Sequence, residues 1–126
     1  MYIFIRHFLV GVTAVTLFGC GMSENERLAR TPKNLTQAAS ELEQVFADAD
    51  STTKGKAAIA TQALREEIYD KAVASIISIS NQDNLTFEQG MILRNSMVTL
   101  QRDLINAAEN GDTKAIKAIE LLQKRK

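Results

Sequence analysis

Few residues of this chain have the chemistry to act as catalysts or ligands. Among 126 residues there is one cysteine, Cys20, and one histidine, His7. A Ser or Cys nucleophile needs a positioned base, normally a His. A zinc site needs three or four nitrogen, sulfur or carboxylate ligands brought together. One residue of each kind supplies neither set, and a single Cys excludes an internal disulfide framework. The sequence contains no H-E-x-x-H pattern, and its six glycines are scattered rather than grouped into a phosphate loop. Carboxylates remain. Glu66 and Glu67 are adjacent, so a helix points them in different directions. Glu67 and Asp70 lie three apart with Lys71 beside them, the pattern of a solvated helix face. A carboxylate pair acting on envelope glycan would also need an aromatic-lined groove, and the chain has no Trp. The expectation is a protein that is not an enzyme and holds no cofactor or metal.

Charge narrows the partners. Fifteen basic residues balance fifteen acidic ones, so there is no polycation to bind nucleic acid. The basic end Lys124-Arg125-Lys126 is expected to offset the dipole of a last helix. The length supports one small domain.

The N-terminal segment carries the most specific signal. Residues 8–18 (FLVGVTAVTLF) are apolar, follow Arg6-His7, and are stopped by Ser23-Glu24-Asn25-Glu26-Arg27. A membrane-crossing helix needs about 20 apolar residues. A charged start, a shorter apolar stretch and small residues at its end describe a secretory signal peptide. Leu17-Phe18-Gly19-Cys20 at its end resembles the lipobox of bacterial lipoproteins. That resemblance implies cleavage before Cys20 and acylation of the Cys20 thiol and of the new amino terminus. Several acyl chains make attachment stable where one would be marginal. It also implies a place in the bacterial cell envelope. Gly21, where an Asp would retain the protein in the inner membrane of a double-membraned cell, points to the outer membrane, facing the periplasm. Residues 1–19 are then the leader and leave with Arg6 and His7. Residues 20–33 are the lipidated Cys and a flexible polar tether, and 34–126 form the domain.

The domain reads as all-α: a small bundle of three long helices and one short C-terminal helix. The first is expected over 34–49, capped by Asn34 with Gln37 completing a capping box. Its apolar stripe is Leu35, Ala38, Leu42, Val45 and Ala49, with Phe46 alongside. Asp50-Ser51-Thr52-Thr53 is expected to break this helix. The second is expected over 54–80, with Ala57, Ala60, Leu64, Ile68, Ala72, Ile76 and Ile79 at helical spacing. A break near Glu67, which would make it a repeat-like hairpin, is left open. The β-branched stretch 73–79 reads as helix because no second strand exists to pair with it. Thr86 and Gln89 form a capping box for a third helix reaching about Asn110, with Leu93, Met97, Leu100, Leu104 and Ala107 on one stripe and Met91, Val98 and Ile105 beside it. Met91 and Met97 read as core filler, with an adaptable binding face as the alternative. Asn110-Gly111 supplies a left-handed stop, and Asp112 caps a short helix over 113–123 that buries Ile116, Ile119 and Leu122 or Leu121.

The stretch Tyr69-Asp70-Lys71-Ala72-Val73-Ala74-Ser75-Ile76 resembles the second helix of a tetratricopeptide repeat, which implies a helical hairpin that binds proteins. No second copy recurs at the period of about 34 residues such repeats use. Asn-Leu-Thr at 34–36 and 84–86 reads as helix punctuation. Together these features predict a membrane-attached, non-catalytic protein with a protein partner, or a self-associating structural lipoprotein. A carboxylate-dependent enzyme on envelope glycan is the remaining alternative. An uncovered apolar face would favour the first two, and a cleft with converging carboxylates the third.

Overall fold

The computed structural model describes residues 31–124, so the leader and Cys20 lie outside the described residues. Those residues are all-helical. Five helices follow one another: α1 (Leu35–Val45), α2 (Ser51–Arg65), α3 (Tyr69–Ser80), α4 (Phe87–Glu109) and α5 (Thr113–Lys124). Packing joins α1 to α2 and α4, α2 to α3, α3 to α4 and α5, and α4 to α5. One core runs through all five.

Local chemistry fixes most of the helix ends. The Gln37 amide donates to Asn34 Oδ1 at 2.8 Å, so Asn34 caps α1 as its sequence position suggests. The box around it is displaced: Gln37 Oε1 accepts from the Lys33 amide at 2.9 Å, one residue before the cap. At α4 the box is reciprocal, with Gln89 N donating to Thr86 Oγ1 and Thr86 N to Gln89 Oε1, both at 3.0 Å. Asp112 Oδ1 accepts from the Lys114 amide at 2.9 Å and opens α5. The start of α2 is a correction. Asp50 is a cap, not merely a breaker, because its carboxylate accepts from the Thr53 amide at 3.0 Å and hydroxyl at 2.8 Å. The helix therefore begins at Ser51.

The larger correction concerns the helix expected over 54–80, which is two helices. Glu67 adopts φ 56°, in the left-handed region. Ile68 N donates back to Ala63 O at 2.9 Å and Glu67 N to Leu64 O at 3.3 Å. These are the paired bonds of a Schellman C-cap, with Glu where Gly is usual. Gly111, at φ 88°, ends α4 with the same pair of bonds: Asp112 N to Ala107 O and Gly111 N to Ala108 O, both at 3.0 Å. The left-handed conformation costs a residue with a Cβ about 1–2 kcal/mol. Geometry explains why it is tolerated at Glu67. An unbroken helix over 51–80 would be about 45 Å long, against about 35 Å for the 23 residues of α4, and its far half would have nothing to cover it. Turning at Glu67 lays α3 back along α2. Ile68 then leaves the stripe and is 40% exposed, and Tyr69 takes its place in the core at 7%.

The core is narrow. Alanines at 38, 39, 57, 60, 63, 72, 115 and 118 are buried, and the aromatics Phe46 and Tyr69 are the bulkiest members. On α5 this overturns the expected pattern: Ala115 and Ala118 face inward, Ile119 and Leu122 are half-buried, and Ile116 and Leu121 are exposed. On α4 the buried set includes Asn95, Ser96 and Thr99 beside Leu93, Leu100 and Leu104.

Replacing Glu67 by Gly is expected to raise stability by about 1 kcal/mol, and Gly111→Ala to lower it by about the same. Gly111 has open space around it, so only its backbone conformation is at stake. Urea unfolding followed by far-UV circular dichroism measures both, and an unchanged Glu67→Gly midpoint would mean the turn carries no strain. Stability should also fall with acid. The Thr53 amide and hydroxyl hold the Asp50 carboxyl below its ordinary range, and the hydrogen-bonded Arg65 guanidinium does the same for Glu43. Groups depressed in the folded state contribute at neutral pH, and that contribution disappears as pH falls below about 4. The thermal midpoint of Asp50→Asn, Glu43→Gln should therefore decline less with acid than that of the parent chain.

Candidate functional site

Cys20 lies outside the described residues, so its surroundings are not part of this geometry. The domain itself offers four places where side chains converge.

The first is where the chain enters. Pro32 is fully buried. Its carbonyl accepts from Thr99 Oγ1 at 2.8 Å and from Arg102 Nη2 at 3.1 Å, and the same Nη2 also donates to Lys33 O at 3.1 Å. Within the stretch read from sequence as tether, residues 31–33 are thus held on α4. A proline suits the position because it has no amide proton to satisfy.

The second is an open groove of about 640 Å³ between α4 and α5, lined by Met97, Gln101, Leu104 and Ile105 and by Ile119, Leu122 and Gln123. It has no charged lining residue. It exists because α5 turns its alanines inward and leaves its larger side chains at the rim. Met97, expected as core filler, is half-buried, packs against the core and also lines this groove. Beside it runs the outer face of α4. Phe87, Met91, Arg94, Val98, Gln101 and Ile105 follow one another in steps of four and three, so they share one stripe. Phe87 is 77% exposed, Ile105 52% and Val98 43%.

The third is a charged pocket of about 320 Å³ at the α2–α3 turn, lined by Glu66, Glu67, Ile68, Tyr69 and Asp70 with Lys114 and Lys117 of α5. This is where the sequence-level carboxylates gather, though all three are solvent-exposed. A carboxyl that serves as general acid at neutral pH is normally set in apolar surroundings. The two lysines make the pocket mixed in charge. Burial raises the Tyr69 phenol above its usual range, helped by the carboxylates of Glu67, Asp103 and Asp112, so the hydroxyl stays protonated. The fourth is a small polar recess of about 160 Å³ where Asp50, Thr53, Gln82, Thr86 and Gln89 meet at one end of the domain. It gathers caps, and Gln89 Nε2 ties α4 to Val45 O at 3.5 Å.

Glu43 of α1 pairs with Arg65 of α2 through two hydrogen bonds of 2.7 and 3.1 Å. The acidic first helix thus finds a basic partner on its neighbour. Among the described residues no group of three or more His, Cys, Asp or Glu could hold a metal ion. No helix among them is long and apolar enough to cross a membrane. Compared with protein-family models, curated proteins and solved structures, the chain matches none.

The signal for the docked entry was a single proline followed by a capped helix, with nothing to name Thr99 and Arg102 as its holders. Removing both donors in Thr99→Val, Arg102→Ala should release residues 31–33. Each bond is worth about 1 kcal/mol, so tryptic cleavage after Lys33 should speed up roughly tenfold or more. Unchanged cleavage would mean that packing of the Pro32 ring alone holds the segment.

Proposed function

We propose that this chain is a lipid-anchored helical protein of the bacterial cell envelope that works by binding another envelope protein, not by catalysis. The observation that carries this reading is Leu17-Phe18-Gly19-Cys20 at the end of the apolar run 8–18, which assigns Cys20 as the acylated residue. Gly21 favours the outer membrane, with the domain facing the periplasm. The uncharged α4–α5 groove supports the binding role: a concave apolar surface flanked by the amide side chains of Gln101 and Gln123 suits an apolar segment of a partner. The turn at Glu67 supports a finer reading. It makes α2 and α3 a hairpin and puts Tyr69 to Ile79 in its second helix, as the tetratricopeptide-like pattern requires.

A second reading, self-association into a structural lipoprotein, is favoured by the exposed Phe87, Val98 and Ile105 on one face of α4. Exposed stripes of that kind often pack against their own copies.

Intact mass and membrane partitioning of the expressed full chain, beside Cys20→Ser, test the anchor. The expected result is loss of residues 1–19 and an acyl-sized mass gain, both abolished by the substitution, with the variant shifting to the soluble fraction. A full-length, unacylated and soluble parent chain would overturn the proposal. Sedimentation of the detergent-extracted protein separates the two readings, since a monomer at micromolar concentration removes self-association.

A further inference from the structure

We infer that the outer face of α4 is a second membrane contact, lying flat on a bilayer with anionic headgroups while Cys20 holds the chain there. This rests on the lipid-anchor reading for the tether, and on the structure for the face. The stripe Phe87, Met91, Val98 and Ile105 extends over about 27 Å of helix. It is the longest run of exposed apolar side chains on any one helix among the described residues, and three of its four members, Phe87, Val98 and Ile105, are exposed. Arg94 sits within the stripe and makes no hydrogen bond or ion pair among the described residues. Arg102 lies at its edge and spends its donors on backbone carbonyls, so its charge is not neutralised by a carboxylate. Glu109, at the far end, is the acidic residue on this side. An apolar band around the unpaired guanidinium of Arg94 is the chemistry of an interfacial helix, with the apolar side chains entering the headgroup boundary and Arg94 reaching phosphates.

The point where the chain leaves the domain selects a bilayer over other occupants. Pro32 and Lys33 are clamped by Thr99 and Arg102, so everything upstream departs from the margin of this stripe. From Thr31 back to Cys20 the chain reaches at most about 40 Å, and about 18 Å on average if it is coil. The face nearest the anchor is therefore this one. A contact too weak to recruit the domain from solution becomes effective once the tether makes it intramolecular.

The chain has no Trp, so a single introduced one reports its own surroundings. The full chain carrying Phe87→Trp or Val98→Trp is expressed with its leader, purified and reconstituted into vesicles of phosphatidylcholine and phosphatidylglycerol. Ala47→Trp, at an exposed site beyond the end of α1, is the control. Emission at positions 87 and 98 should shift to the blue and be quenched by brominated lipid, with position 47 unaffected. In the Cys20→Ser background the vesicle-bound fraction should be weak, and Phe87→Glu, Val98→Glu should lower it by at least about tenfold. An acylated chain whose introduced tryptophans stay unquenched would overturn the face and leave the anchor standing. An unacylated chain that is still quenched would overturn the anchor and leave the face standing. A blue shift that appears without vesicles and grows with protein concentration would assign the stripe to a second copy and overturn the inference.

Discussion

The fold depends on one backbone reversal at Glu67. With the chain continuing as helix there, the residues from Ser51 to Ser80 would form a rod whose second half projected beyond every neighbour. The reversal converts that rod into α2 and α3 packed side by side. Tyr69 then enters the core, and α3 becomes the surface on which α5 rests. A left-handed Glu is an unfavourable local choice. It persists because the burial of Ala72, Val73, Ile76 and Ile79 depends on it, and those four side chains together outweigh a cost of about 1–2 kcal/mol.

The second constraint is size. Fewer than a hundred residues cannot enclose many large side chains, and this domain solves the problem with alanine at its closest helix crossings. Alanine lets backbones approach, but it contributes little apolar area per residue. Ile116 and Leu121 of α5 and Val98 and Ile105 of α4 are left outside, while Leu93, Leu100 and Leu104 of α4 stay in the core. The apolar groove and the α4 stripe are the apolar surface this economy leaves uncovered. A protein held at a surface can use such exposure, whereas a freely diffusing one would carry it as a liability.

Features with a local chemical signature were legible in the sequence. Asn34, Thr86 and Asp112 are caps because their short polar side chains satisfy free amides, and Gly111 is a stop because it lacks a Cβ. Each needs only its immediate neighbours to be identified. Glu67 carries no such mark, since nothing within four residues favours a left-handed conformation, and only the global need to fold back requires it. The same holds for α5. Its pattern allows either the alanines or the isoleucines to face inward, and the choice is made by how closely α3 and α4 approach it. Asp50 was read as a breaker because the residues after it, Ser51 to Thr53, are poor helix formers. Its capping bonds to Thr53 reverse that preference. On α4, Asn95, Ser96 and Thr99 look like solvent-facing residues by type. Thr99 is inside because its hydroxyl serves the carbonyl of Pro32.

That last bond links the two halves of the chain's logic. Under the proposed lipid anchor, a wholly flexible connection would leave the domain free to present any face to the membrane. Docking Pro32 on α4 fixes where the free connection starts: a single buried hydroxyl and one guanidinium hold the chain's point of entry beside this helix. The clamp also buries the Pro32 ring and the Thr99 side chain, so it serves the packing of the domain as well as setting the chain's point of entry on α4.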